Sequence, residues 1–171
     1  MFRGRKGGWY TSYPMNRVGI GIDVHRFAAG RKLIIGGVEV PSERGLEGHS
    51  DADVLAHAIA DALLGAVALG DIGKFYPDTD MKLKNMDSMI IVRDVAAKLR
   101  KIGARINNVD AAIVAQAPKL SPHIPKMQEI LAKNLGIASA QIGIKATTSE
   151  TMGFTGRKEG IVVVAIASVE M

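Results

Sequence analysis

"GIDVHRF", residues 21–27, places a carboxylate and an imidazole two positions apart inside an apolar run. Read as a strand, it turns Asp23 and His25 to one face and Ile22 and Val24 to the other, because strand side chains alternate with a period of two. Polar groups on a surface that faces a core are costly unless something satisfies them. An ion pair would satisfy them, and so would a metal.

Working outward, "RVGIGIDV" (17–24) and "KLIIGGVEV" (32–40), separated by the turn "AAGR", are expected to form a hairpin with Gly36-Gly37 as a bend or bulge. "PSERGLEGHS" (41–50) is a polar loop, with Ser50 or Asp51 placed to cap the next element. "DADVLAHAIADALLGAVALG" (51–70) is Ala/Leu-rich, begins acidic and stops at glycine, which predicts a helix. "DIGKFYPDTDMKLKN" (71–85) has no period and is expected to be a loop. Asp87 heads a second helix with basic residues in its last turns. A strand ("ARINNVDAAIVAQAP"), a third helix capped by Ser121 with Pro122 in its first turn, a strand ("QIGIKATT"), a Gly-rich loop ("SETMGFTGRKEG") and a closing strand ("IVVVAIASVEM") follow. This order predicts an α/β (α+β) single domain. Its expected form is a mixed four-stranded-type sheet with an added hairpin, and helices packed mainly on one face.

A length of 171 residues suits one domain. The expected division is a disordered basic tail or tag over 1–14 and a single domain over 15–171. With no cysteine, thiolate metal sites, disulfides and a cysteine nucleophile are excluded. The formal charge of +5 invites a nucleic-acid reading, but three of those charges (Arg3, Arg5, Lys6) lie in the opening segment, which holds no acid. The remainder has no basic block interleaved with aromatics, so neither a nucleic acid nor, without a long apolar run, a membrane is expected as partner. The opening lacks a secretory core. A cytoplasmic bacterial protein is the expectation, or a plastid one if the tail is a targeting remnant.

Asp53, His57 and Asp61 recur at i, i+4 on the first predicted helix and so would share a face. Each polar group taken singly fits a satisfied core residue or a solvated face. Asp23, His25 and His57 together make a three-ligand set that leaves a fourth position open, as catalytic zinc sites do. The loops add His49, Ser50 and Asp51 beside a helix N-terminus, then Asp71, Lys74 and Asp78, then Lys145, Thr147, Thr148, Glu150 and Arg157. Hydroxyls, carboxylates and an arginine suit phosphate plus a hard cation, although turn chemistry and capping account for each loop alone.

"GIDVHRF", "IIGGVEVP", "GHSDADVLAHAIADALLGAVALGDIGKFYPDTD", "NVDAAIVAQAPKLSPHIP" and "KATTSETMGFTGRKEGI" resemble, in order and spacing, the 2-C-methyl-D-erythritol 2,4-cyclodiphosphate synthases, the cyclising enzymes of non-mevalonate isoprenoid biosynthesis. The resemblance runs from about Met15 to the C-terminus. It implies a homotrimer with active sites at subunit interfaces. The substrate would be a cytidine diphosphate, 4-diphosphocytidyl-2-C-methyl-D-erythritol 2-phosphate, and CMP a product. It implies zinc on Asp23, His25 and His57, and Mg²⁺ or Mn²⁺ on Glu150. Asp71, Lys145 and Thr148 would be catalytic. His49, Ser50, Gly73, Asp78, Phe154 and Arg157 would hold substrate, and Ala115, Gln116, Ala117, Pro118, Lys119 and Leu120 with Thr147 and Thr148 the nucleotide. Ile22, Arg157 and Glu159 would line an axial cavity able to take an isoprenoid diphosphate; Ile22 stands where many relatives have Phe or Tyr. Two other classes fit the same ligands: a zinc-dependent phosphohydrolase, and a non-catalytic module that binds CMP or an isoprenoid diphosphate.

Overall fold

A computed structural model describes residues 15–77, 79, 81–83 and 85–171. The expected tail (1–14) and Asp78 lie outside the described residues. The first strand, β1 (Asn16–Ala29), is long because its alternation is unbroken. β2 (Leu33–Ile35) and β3 (Val38–Val40) pair only with each other, and β4 (Arg44–Leu46) pairs with the far end of β1. Helix α1 (Val54–Ala66) and helix α2 (Ser88–Lys101) follow, then β5 (Arg105–Val114), α3 (Ile124–Leu135), β6 (Ile142–Thr147), a helical turn over Gly153–Gly156, and β7 (Gly160–Glu170). The main sheet runs β4-β1-β7-β5-β6, with β5 and β6 parallel and the other pairs antiparallel. Among the described residues no helix is long and apolar enough to cross a membrane.

Four local expectations change. The hairpin lies within 33–40, with Gly36 and Gly37 both at positive φ in its two-residue turn, while β1 pairs with β7, the last strand. The polar loop before α1 holds the short β4. The cap of α1 is Asp53, whose buried carboxylate accepts from the Leu55 and Ala56 N–H at 3.1 and 3.0 Å. It also accepts from Gly36 N at 2.8 Å and Gly37 N at 2.7 Å, so one side chain joins the hairpin to the helix. Ser121 caps nothing: residues 121–123 form a 3₁₀ turn ahead of α3, and Pro125 occupies the first turn of that helix. Asp87 caps α2 as expected, accepting from Met89 N at 2.8 Å.

All three long helices lie on one side of the sheet. The contact of α1 with β1 is unusually close, because Gly19 and Gly21 present no side chain where Ala58, Ala62 and Ala66 cross. In register with them, β7 supplies Ala167 and Ala165. One row further along the same face, the small residues give way to Asp23 and then His25. Among the described residues, none of the three long helices packs on the opposite face. There Val18, Ile20, Ile22 and Val24 of β1 are each at least half exposed, and Val164, Val162 and Ile166 of β7 continue the apolar patch.

Candidate metal centre and nucleotide loop

Where the glycine row ends, α1 turns His57 toward β1. His57 Nδ1 lies 3.1 Å from Asp23 Oδ2, and His25 Nε2 lies 3.0 Å from the same oxygen. The two rings are 5.6 Å apart between centroids. The other ring nitrogens are engaged. His25 Nδ1 donates to the Glu47 carbonyl at 2.5 Å, and His57 Nε2 faces Ser88 Oγ at 2.9 Å and Ser50 Oγ at 3.3 Å. A carbonyl only accepts, so Nδ1 of His25 carries a proton, and in the neutral ring the lone pair falls on Nε2.

Three potential ligand atoms thus lie within 4.8 Å of one another, and among the described residues no other group of three does so. Two imidazole nitrogens converging on a carboxylate need a shared cation, either protons or one divalent metal. Burial works against charge on Asp23, yet the hydrogen bonds and charges of His25 and His57 hold its carboxyl well below the usual range. Burial likewise opposes charge on His25, and Asp23 outweighs it, raising the ring above 6.5. The set is neutral-to-anionic, hard-to-borderline and half-buried, which suits a divalent ion with an open coordination position.

A cavity of about 220 Å³ opens beside the triad, lined among others by His49, Ser50, Ile72 and Tyr76. Its loop is anchored from below. Asp61, which shares a helix with His57, accepts the Ile72 N–H at 2.7 Å rather than bonding to that ring. Asp71 accepts from Lys74 N at 3.1 Å around Gly73, and the Tyr76 phenol donates to Asp94 on α2. Asp53 points away to the hairpin, so the expected shared face of Asp53, His57 and Asp61 resolves into three separate tasks.

The phosphate- and nucleotide-type residues assemble elsewhere, at the carboxyl ends of the parallel pair β5 and β6. Ala115 N donates to Thr147 O at 3.0 Å, and Thr151 N donates to Gln116 Oε1 at 3.1 Å, so the 115–120 and 147–151 segments form one surface. The Ala117–Pro118 peptide is cis. Lys119 is exposed there, whereas Ala115 and Leu120 are buried and offer only backbone. Thr148 Oγ1 donates to Glu150 Oε1 at 2.5 Å. Glu150 and Thr151 both take positive φ, a strained backbone of the kind that collects at ligand sites. Lys145 lies on the helix-free face of β6, paired with Asp110. A second cavity, of about 860 Å³, joins His25 to Phe154 and the paired Arg157 and Glu159.

The register puts both clusters at one end of the sheet, because Val24, Val162, Val114 and Thr147 are aligned across it. The 115–120 loop leaves β5, two strand spacings from β1, and the 147–151 segment leaves β6, three spacings away, so the clusters are roughly 10–14 Å apart. Glu47 and Ser88, which hold the two histidines, were not singled out in the sequence. A backbone carbonyl leaves no sequence signal, and a serine opening a helix reads as a cap.

Fold and site together define a single-domain α/β protein with a candidate divalent-metal centre of two histidines and one aspartate. The chain belongs to the YgbB family, whose model matches residues 16–170. It is 59% identical over 153 residues to the 2-C-methyl-D-erythritol 2,4-cyclodiphosphate synthase of Alkaliphilus metalliredigens, covering 90% of this chain and 96% of that one. It is 56% identical to the synthase of the same name from Thiobacillus denitrificans, with the same coverage. Among solved structures it is similar to the bifunctional IspDF of Campylobacter jejuni (44% identity, TM-score 0.89), covering 92% of this chain and 43% of that longer one. It is also similar to a CDP complex of IspF from Plasmodium falciparum (31% identity, TM-score 0.80), covering 92% of this chain and 97% of that one.

Proposed function

We propose that the protein is a metal-dependent cyclising lyase. It would convert 4-diphosphocytidyl-2-C-methyl-D-erythritol 2-phosphate into 2-C-methyl-D-erythritol 2,4-cyclodiphosphate and CMP. The observation that carries this reading is the convergence of Asp23, His25 and His57 beside a cavity, in a chain so close to synthases of that name. An oxygen of the substrate's 2-phosphate attacks the β-phosphorus. The bond from that phosphorus to the oxygen bridging the two phosphates breaks, and CMP leaves with the bridging oxygen and its electron pair. The 2-phosphate is largely ionised near neutral pH, so no strong general base is required.

Zinc on the triad, with Mg²⁺ or Mn²⁺ on Glu150, would neutralise phosphate charge and act as Lewis acid for the displacement. The protein's own share is alignment. Ser50 Oγ accepts the Ala52 N–H at 3.1 Å, which leaves its hydroxyl proton to donate into the cavity. His49 lines that cavity, and with Asp71 and Gly73 on the adjoining turn it would take the methylerythritol. Backbone groups of 115–120, with Thr147 and Thr148, would hold the cytidine nucleotide. Mass spectrometry of the products, with zinc and Mg²⁺ supplied, tests this: cyclic diphosphate plus CMP is expected. A linear hydrolysis product would make the protein a phosphohydrolase, and binding without turnover a nucleotide-binding module.

The same reading makes the protein a homotrimer. Its support is the apolar sheet face without a long helix and the roughly 10–14 Å between the two half-sites in one chain, a gap that a neighbour's nucleotide loop would close. The Phe154–Arg157–Glu159 cavity would then adjoin the axis, with Ile22 on the inward face, where an isoprenoid diphosphate fits. Ile20 is 61% exposed in the single chain, so Ile20→Asp spares the monomer fold. Light scattering should show a trimer for the unmodified protein and a monomer, without turnover, for the variant. A monomeric and active unmodified protein overturns the trimer.

A further inference from the structure

We propose that Ser88 and Asp51 are positioning residues that hold His57 with its proton on Nε2, so that Nδ1 is presented to the metal. The inference rests on the metal reading above, and it concerns residues outside the three ligands. Ser88 is fully buried at the first position of α2, and its hydroxyl is the nearest partner of His57 Nε2, at 2.9 Å. That oxygen is also 2.5 Å from Asp51 Oδ1. An ionised carboxylate only accepts, so the Ser88 proton points at Asp51, and the Ser88 oxygen is left as an acceptor toward the ring. His57 must then carry its proton on Nε2, and the lone pair falls on Nδ1, 3.1 Å from Asp23.

Asp51 is itself committed to the acceptor role. Its Oδ1 also takes the Asp53 N–H at 3.2 Å, and its Oδ2 takes the Ser88 N–H at 3.1 Å. Both oxygens face backbone donors that cannot reverse, so every bond in the chain from Asp51 through Ser88 to His57 has one direction. Ser50 Oγ, at 3.3 Å, is a longer second neighbour and already accepts from Ala52 N. The arrangement complements the Glu47 carbonyl on His25, which exposes the opposite nitrogen, Nε2. The two imidazoles would offer a metal different atoms because their partners differ. Loss of such an outer partner commonly lowers metal affinity about 10- to 100-fold.

Zinc affinity of the full chain by chelator competition tests this in four versions: unmodified, Ser88→Ala, Asp51→Asn and the double variant. Ser88→Ala should weaken zinc roughly ten- to a hundredfold. Asp51→Asn should also weaken it, because a side-chain amide places an NH₂ against one of the backbone donors or against Ser88. The double variant should lose no more than the worse single variant, since Asp51 acts through Ser88. In the zinc-loaded protein, the His57 Nε2 proton should give a slowly exchanging imidazole resonance that Ser88→Ala accelerates. Unchanged zinc affinity in Ser88→Ala, an unaltered imidazole resonance, or losses that multiply in the double variant overturn the positioning role alone. An unmodified chain that takes up no zinc overturns the metal reading and the positioning with it.

Discussion

His57→Ala is expected to yield a folded protein that takes up no zinc and shows no turnover. The residue is one of three potential ligands that meet within 4.8 Å, and the other two share a strand. Removing it leaves a carboxylate and one imidazole, too few to retain a divalent ion against water or chelator. The loss should exceed the about 10- to 100-fold typical of an outer partner. The fold survives because most of α1 is buried independently of the ring, Leu55, Ile59, Leu63 and Leu64 among it. Elemental analysis and circular dichroism on the purified variant check both halves, and full retention of zinc would show the ligand assignment to be wrong. The unmodified protein should also show a pH dependence of defined sign. Asp23 raises the pKa of His25 above 6.5, so the metal must displace a proton there. Uptake weakens as pH falls through that raised value, and zinc should bind more tightly at about pH 8 than at about pH 6.

What was legible in the sequence follows from which interactions are local. The alternation of "GIDVHRF" correctly put Asp23 and His25 on one face, since a strand's period is a property of its own backbone. The start of α2 was legible because Asp87 caps a helix that begins at the next residue. Pairing was not: alternation makes a strand without naming its neighbour, and β1 runs beside a strand more than a hundred residues later. The i, i+4 spacing of Asp53, His57 and Asp61 misled for a related reason. Spacing gives a direction in which side chains leave the helix, but their ends are decided by what comes near. For Asp53 that is the Gly36-Gly37 turn, and for Asp61 the Ile72 N–H. The roles of Lys145, Glu150 and the 115–120 loop come from the family resemblance. In a single chain these residues lie at the ends of β5 and β6, two and three strands away from β1 and its ligands.

Gly21→Ala should destabilise the protein by about 3 kcal/mol or more, because the added carbon has no flexible neighbour to displace. It would sit 2.0 Å from the Ala58 carbonyl oxygen and 2.7 Å from Ala62 N, both helix backbone. At this chain length such a loss lowers the melting temperature by roughly 6–12 °C. The same exchange at Gly65, across the same interface, should do the reverse. There the nearest atoms are Ile20 O at 3.7 Å and Gly19 Cα at 4.0 Å, ordinary contact distances, and alanine favours the helix by about 0.5–1 kcal/mol. Opposite signs at two glycines of one helix–strand contact would show that space, not glycine content, decides the packing; equal shifts would refute it. The consequence reaches the site. α1 lies against β1 closely enough for His57 Nδ1 to come within 3.1 Å of Asp23, and that approach depends on the missing side chains at Gly19 and Gly21. A helix pushed outward by one methyl carries His57 with it, so Gly21→Ala should weaken zinc even where the protein remains folded. The two glycines that precede Asp23 and His25 on the same strand face thus set the distance at which the third ligand arrives.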